Sequence, residues 1–145
     1  MKAIVLALFL PITALATFDG RYSGPGTSLM HQSGNRRDCR EIFLKLQGGE
    51  KALRILEGGY ICGDIQASFD PFTLEIREGK IFLEGQSVGT ISENDLDLLY
   101  KSEEENFTYH WHLQQAGDEI NYLEEWASGG APSLTVQGKL KKISP

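Results

Sequence analysis

Apolar positions along this chain recur at every second residue, in short runs separated by turn residues. The clearest case is the stretch 107–126. Phe107, Tyr109, Trp111 and Leu113 share one face of its first run, and Ile120, Tyr122, Glu124 and Trp126 share one face of its second. Gly117-Asp118 between the runs carries the chemistry of a two-residue hairpin turn, so the stretch predicts a β-hairpin. A type II′ turn there sets Leu113 opposite Tyr122, Trp111 opposite Glu124 and Tyr109 opposite Trp126.

The same period runs through the rest of the chain. Gly20-Arg21-Tyr22-Ser23 reads as a short strand, and the polar, pattern-free stretch 27–38 reads as a loop. Ile42, Leu44 and Leu46 lie in phase, Gly48-Gly49-Glu50-Lys51 turns the chain, and Leu53 and Ile55 continue the apolar face. The expected register pairs Leu46 with Leu53 and Leu44 with Ile55, leaving Phe43 and Leu56 on the other face. Gly58-Gly59 is expected to break or bulge that second strand before Tyr60 and Cys62. Residues 64–71 read as a connection. Residues 72–77 and 80–84 form a second hairpin around Glu78-Gly79, with Leu74 facing Leu83 and Ile76 facing Ile81. Residues 85–90 are expected to cross over, with a short strand over 88–91.

Leu96, Leu98 and Tyr100 match Leu113, Trp111 and Tyr109 if Ser102 pairs with Phe107. Residues 93–101 are locally compatible with a helix as well, but these ready partners favour a strand. In the closing run 134–142, Leu134, Val136, Gly138 and Leu140 face one way and Thr135, Gln137, Lys139 and Lys141 the other. Pairing Trp126 with Leu134 puts Val136 beside Glu124 and Gly138 beside Tyr122. The missing side chain at Gly138 would leave room for the Tyr122 ring or for a ligand. With no sustained helical period, the fold class is all-β: an antiparallel up-and-down meander. Such a sheet must hide its apolar face and its edges. Closure into a barrel of about 8–10 strands does so, and a β-sandwich is the alternative.

Composition adds an address. Residues 1–16 predict a signal peptide, with Lys2 as the n-region, an apolar run from Ala3 to Leu10, and Ala14-Leu15-Ala16 as a small-x-small cleavage site. The apolar run is too short for a membrane anchor, and no later segment is apolar enough to span a bilayer. Residues 17–145 are then one domain, exported to a periplasmic or extracellular space. Removing Lys2 from the 14 basic residues leaves 13 against 20 acidic, a net charge of −7. An acidic domain is a poor partner for nucleic acid. Cys39 and Cys62 are the only cysteines. In an oxidising compartment such a pair predicts a disulfide, reached here through a bulge near Gly58-Gly59.

Gly20-Arg21-Tyr22 resembles the Gly-x-Trp that opens the lipocalins and their calycin relatives, with Tyr in place of Trp. Gly138-Lys139-Leu140-Lys141 is similar to the basic last strand of those barrels. The resemblance implies a small exported barrel, often a carrier of apolar ligands.

Candidate chemistry is sparse. The chain has no G-x-S-x-G elbow, no H-E-x-x-H and no phosphate-cradling glycine loop, so no catalytic residue and no cofactor is expected. Asn106-Phe107-Thr108 matches a glycosylation acceptor, which matters only in a eukaryotic source. Two constellations remain. The inward face of the central hairpin holds Tyr109, Trp111, Tyr122 and Glu124, a carboxylate among aromatic walls, and is the candidate ligand-binding site. Core packing is the competing reading, but a carboxylate in a closed apolar interior demands hydrogen bonds, solvent or a ligand. On the outward face, His110 and His112 point the same way beside Asp97 and Glu125. That pattern permits zinc, but cross-strand charge pairing on a solvated face is the favoured reading, and no metal site is expected. The function expected is a non-enzymatic binding protein for a small apolar or amphipathic ligand. The alternative is an envelope structural or protein-interaction module with a solid core.

Overall fold

The computed structural model describes residues 18–144. The expected signal peptide lies outside these residues. Eleven strands follow in order: β1 (Gly20–Met30), β2 (Asn35–Gly48), β3 (Ala52–Cys62), β4 (Ile65–Ser68), β5 (Phe72–Arg77), β6 (Lys80–Leu83), β7 (Gln86–Ile91), β8 (Asp95–Ser102), β9 (Phe107–Ala116), β10 (Glu119–Ser128) and β11 (Ala131–Ser144). Every pairing is antiparallel. The sheet runs β2-β1-β11-β10-β9-β8-β7-β6-β5-β3, and β3 pairs back to β2. Ten strands therefore close into a barrel, and β4 is an extra strand on the outer part of β3. Closure removes most of the edges that an open meander would carry, leaving among the described residues the short β4 and the upper part of β8 beyond its pairs with β7. In general shape this matches a calycin-type barrel and excludes the sandwich.

The predicted registers hold wherever a tight turn and aromatic alternation set them. Leu113 faces Tyr122, Trp111 faces Glu124 and Tyr109 faces Trp126. Leu96, Leu98 and Tyr100 face Leu113, Trp111 and Tyr109, and Trp126, Glu124 and Tyr122 face Leu134, Val136 and Gly138. Gly117 alone of the central turn pair takes a positive φ, 63°, as a II′ turn requires.

Several expectations are corrected. Residues 27–38 are not a loop: β1 and β2 run through them, joined only at 31–34. Their side chains are mostly exposed or half-buried, so no hydropathy period marks them, yet their backbone pairs with β11 and with each other. Residues 65–68 form β4 instead of a plain connection. Residues 85–90 do not cross over, because Glu84 and Gly85, both at positive φ, fold β7 directly back on β6. The β2–β3 register differs from expectation: Leu46 faces Ile55 and Gly48 faces Leu53, with an irregularity between Lys45 and Leu46. The strand is not broken at Gly58-Gly59. A Cβ on Gly58 would stand 2.6 Å from the Phe69 ring, and one on Gly59 would meet the Ala67 carbonyl. These glycines let β4 and the 69–71 segment lie close against β3.

Cys39 and Cys62 stand directly opposite one another on β2 and β3 and are joined by a disulfide, with Cα atoms 3.8 Å apart. The core is the in-phase set expected, including Ile42, Leu44, Leu53, Ile55, Leu74, Ile81, Leu96, Leu98, Leu113, Ile120, Val136 and Leu140, all buried. At the lower end Phe18 and Tyr22 are wholly buried. The Tyr22 hydroxyl donates to the Asp19 carbonyl at 3.1 Å and accepts from Gln115 Nε2 at 3.1 Å. Asp19 Oδ1 in turn accepts from the Gly48 amide at 3.1 Å. The N-terminal segment thus seals one end of the barrel.

The wall is uneven in height. β2 and β11 have 14 residues each and β9 and β10 have 10, whereas β5 and β7 have 6 and β6 only 4. β7 and β8 pair over only three positions, Gly89–Ile91 with Leu96–Leu98. On this side the wall is low beside the upper ends of β8, β9 and β10.

Candidate functional site

The inward residues of β9 and β10 gather around one carboxylate. Glu124 is 0% exposed. Its Oε1 accepts hydrogen bonds from the Tyr122 hydroxyl at 2.8 Å and the Tyr109 hydroxyl at 3.1 Å, and its Oε2 accepts from Trp126 Nε1 at 3.0 Å. Tyr60, buried on β3, reaches the same carboxylate by a looser contact. Tyr122 and Trp126 flank Glu124 at i−2 and i+2 on one strand face, and Tyr109 lies opposite Trp126. Period two and the hairpin register therefore place three of these donors without any special backbone. All four partners are neutral. Among the described residues no basic side chain pairs with Glu124.

Burial pushes the Glu124 carboxyl above its ordinary range, and the donors of Trp126, Tyr122, Tyr109 and Tyr60 pull it part of the way back. Burial followed by the neighbouring Glu124 charge raises the hydroxyls of Tyr60, Tyr109 and Tyr122, so all three stay neutral donors. Hydrogen bonds donated by these neutral groups favour the ionised carboxylate, while the dry surroundings oppose it.

Of the four expected site residues, the fold brings Tyr109, Tyr122 and Glu124 into direct contact. Trp111 stands opposite Glu124 but does not bond to it. Its ring packs between Phe72 and Tyr122, at 6.4 and 6.3 Å between centroids, and its buried Nε1 has no well-formed hydrogen bond among the described residues, only a looser contact toward the Tyr122 hydroxyl. Sequence reasoning missed Trp126 and Tyr60 as partners of the carboxylate. Trp126 was readable from its phase with Glu124. Tyr60 was not, because it arrives from across the barrel. The expectation for Gly138 is also corrected: a Cβ there would meet the Pro25 carbonyl at 2.5 Å and Ile42 Cδ1 at 2.8 Å. The space beside it belongs to the close approach of β1 and β2, not to Tyr122 or a ligand.

Above the carboxylate cluster, on the low side of the wall, a concavity of about 330 Å³ is lined by Phe72, Leu83, Leu98, Tyr100, Phe107, Tyr109 and Trp126, with Glu84 at its rim. The aromatic rings form a chain of contacts: Tyr100 to Phe107 at 6.0 Å, Phe107 to Trp126 at 5.7 Å and Trp126 to Tyr109 at 4.7 Å edge-on. Tyr109 and Trp126 belong to both the pocket wall and the Glu124 cluster. The short β5 and β6 leave this apolar surface uncovered, so the pocket follows from strand length.

On the outward face His110 is held from both sides. Its Nε2 lies 2.6 Å from Asp97 Oδ1 and its Nδ1 lies 3.1 Å from Glu125 Oε1. His112 bonds Asp95, at 2.7 Å, and not the Asp97 opposite it. Partial burial alone would lower the His110 pKa, but the hydrogen bonds to Asp97 and Glu125 outweigh it and the pKa is raised. Both ring nitrogens of His110 are engaged by carboxylates, and among the described residues no group of three or more His, Cys, Asp or Glu side chains is arranged to hold a metal ion. The arrangement consists of three cross-strand contacts, His110 with Asp97 and Glu125 and His112 with Asp95.

No protein-family model matches the chain, and no curated protein matches it. Among the described residues no helix is long and apolar enough to cross a membrane.

Proposed function

We propose that this protein is an exported, lipocalin-like binding protein that takes a small apolar or amphipathic ligand into the upper end of its barrel and performs no chemistry on it. The observation that carries this reading is the open aromatic pocket of about 330 Å³, whose inner wall, Tyr109 and Trp126, rests on a buried carboxylate. A concave, mostly apolar site with a few placed polar groups is the general form of a small-molecule site. The Cys39–Cys62 disulfide supports an oxidising destination.

The test is titration with the neutral apolar probe N-phenyl-1-naphthylamine, read by probe emission and by energy transfer from Trp111 and Trp126. Saturable binding of one probe per chain is expected, weakened by Phe107→Ala and left intact by Leu99→Ser on the outer surface. Absence of saturable binding would remove the carrier reading. A structural or interaction module would then stand, favoured by the fact that Glu124 draws its hydrogen bonds from the protein itself.

A further inference from the structure

Among the described residues Glu124 has no counter-ion. A carboxylate withdrawn from water is strongly disfavoured unless it is paired as well as hydrogen-bonded. Here three hydrogen bonds come from uncharged groups, and the ion pairs formed elsewhere do not reach it. Directly above it stands a pocket walled by Phe72, Tyr100, Phe107, Tyr109 and Trp126, with a second carboxylate, Glu84, exposed at the rim. Resting on the proposed binding reading, we propose that the natural ligand is an organic cation, an alkylammonium whose charged head sits against the Tyr109 and Trp126 rings and whose apolar body lies along Phe107, Tyr100 and Phe72.

Three features converge on that charge. Aromatic faces carry negative potential and attract cations, Trp most strongly. Tyr109 and Trp126 both donate hydrogen bonds to Glu124, which pushes electron density into the rings that line the pocket. The Glu124 charge lies behind those same rings in a dry medium, where it acts at longer range than it would in water. An anion in the same place would lie beside two carboxyl groups and five aromatic rings, which disfavours a fatty acid headgroup on electrostatic grounds. The groups facing Glu124 are Tyr60 from β3, Tyr109 from β9, and Tyr122 and Trp126 from β10. None of these can supply a positive charge, and an alkylammonium head in the pocket would favour the ionised carboxylate over the protonated one.

The experiment compares three probes of equal chain length at one pH: octyltrimethylammonium, 1-octanol and octanoate, by calorimetry and by thermal shift on the intact protein. The cation is expected to bind about tenfold tighter than octanoate and to raise the melting temperature, with octanol in between. Glu124→Gln and, separately, Glu84→Gln should narrow the gap between cation and octanol, whereas Leu99→Ser on the outer surface should leave the gap and N-phenyl-1-naphthylamine binding unchanged. If octanoate binds as tightly as the cation, the charge assignment is overturned and the apolar pocket stands. If neither they nor the neutral probe bind, the carrier reading falls with it. Should Glu124→Gln fail to fold, the ranking of the three probes on the unmodified protein decides.

Discussion

Trp111 and Glu124 stand directly opposite each other on β9 and β10, yet the indole makes no hydrogen bond to the carboxylate. Glu124 turns instead to its own-strand neighbours Tyr122 and Trp126 and to Tyr109, one inward position above Trp111 on β9. The carboxylate is thereby drawn toward the pocket end of the barrel, and Trp111 is left as the wholly buried spacer beneath it.

Stability should carry the signature of that burial. The folded pKa of Glu124 lies above its ordinary value of 4.5. Its contribution is therefore fully present below about 4.5 and is lost as pH rises through the folded value, because the native state holds the proton longer than the unfolded chain. Glu124→Gln removes this slope. Melting curves of both proteins between acid and neutral pH should show the wild type losing stability relative to the variant as pH rises. A constant difference across the range would count against a raised pKa.

His110 titrates with the same sign but on the outer surface. Its folded pKa is raised above 6.5 by Asp97 and Glu125. The stabilisation is complete below 6.5 and fades as pH rises through the folded value. Nuclear magnetic resonance of the ring should place its pKa above that of a free imidazole, and Asp97→Asn should bring it down. No change in Asp97→Asn would assign the shift elsewhere.

The disulfide closes a loop between Cys39 and Cys62, 23 residues apart. The chain-entropy model gives about 3 kcal/mol for a loop of this size. A double Cys→Ala variant should lose about that much in urea unfolding while keeping the far-ultraviolet spectrum of a β protein.

Tyr22 joins Asp19 and Gln115 at the sealed end. Tyr22→Phe should cost about 1 kcal/mol, the usual net worth of a lost hydrogen bond. Tyr22→Ala should cost about 3–5 kcal/mol by opening a cavity. Equal effects in denaturant titrations would mean that the hydroxyl, and not the ring, seals the barrel.

Much of this architecture is legible from residues 94–142, where short turns and large aromatics in phase fix the register. Leu96, Leu113, Tyr122 and Gly138 fall into one row across four strands, as alternation alone predicts. Legibility fails where the backbone does the work. The polar ends of β1 and β2 are strands because their amides pair, and their side chains carry no message. The irregularity between Lys45 and Leu46 shifts β3 against β2, which a face-by-face reading cannot detect, since the shifted pairs still put Leu46 and Ile55 inward. Tyr60 joins Glu124 across the barrel, and no local pattern encodes a distance through the interior.

The uneven wall has a kinetic meaning. Each backbone amide in β9, β10 and β11 belongs to a long ladder flanked on both sides, whereas β6 has four residues and meets β7 across an irregular register. Local opening takes place where few bonds must break together. Amide hydrogens of β5, β6 and β7 should therefore exchange with solvent well before those of the tall strands. The barrel is then a stiff half-cylinder with a compliant gate on one side, and that gate stands beside the aromatic pocket.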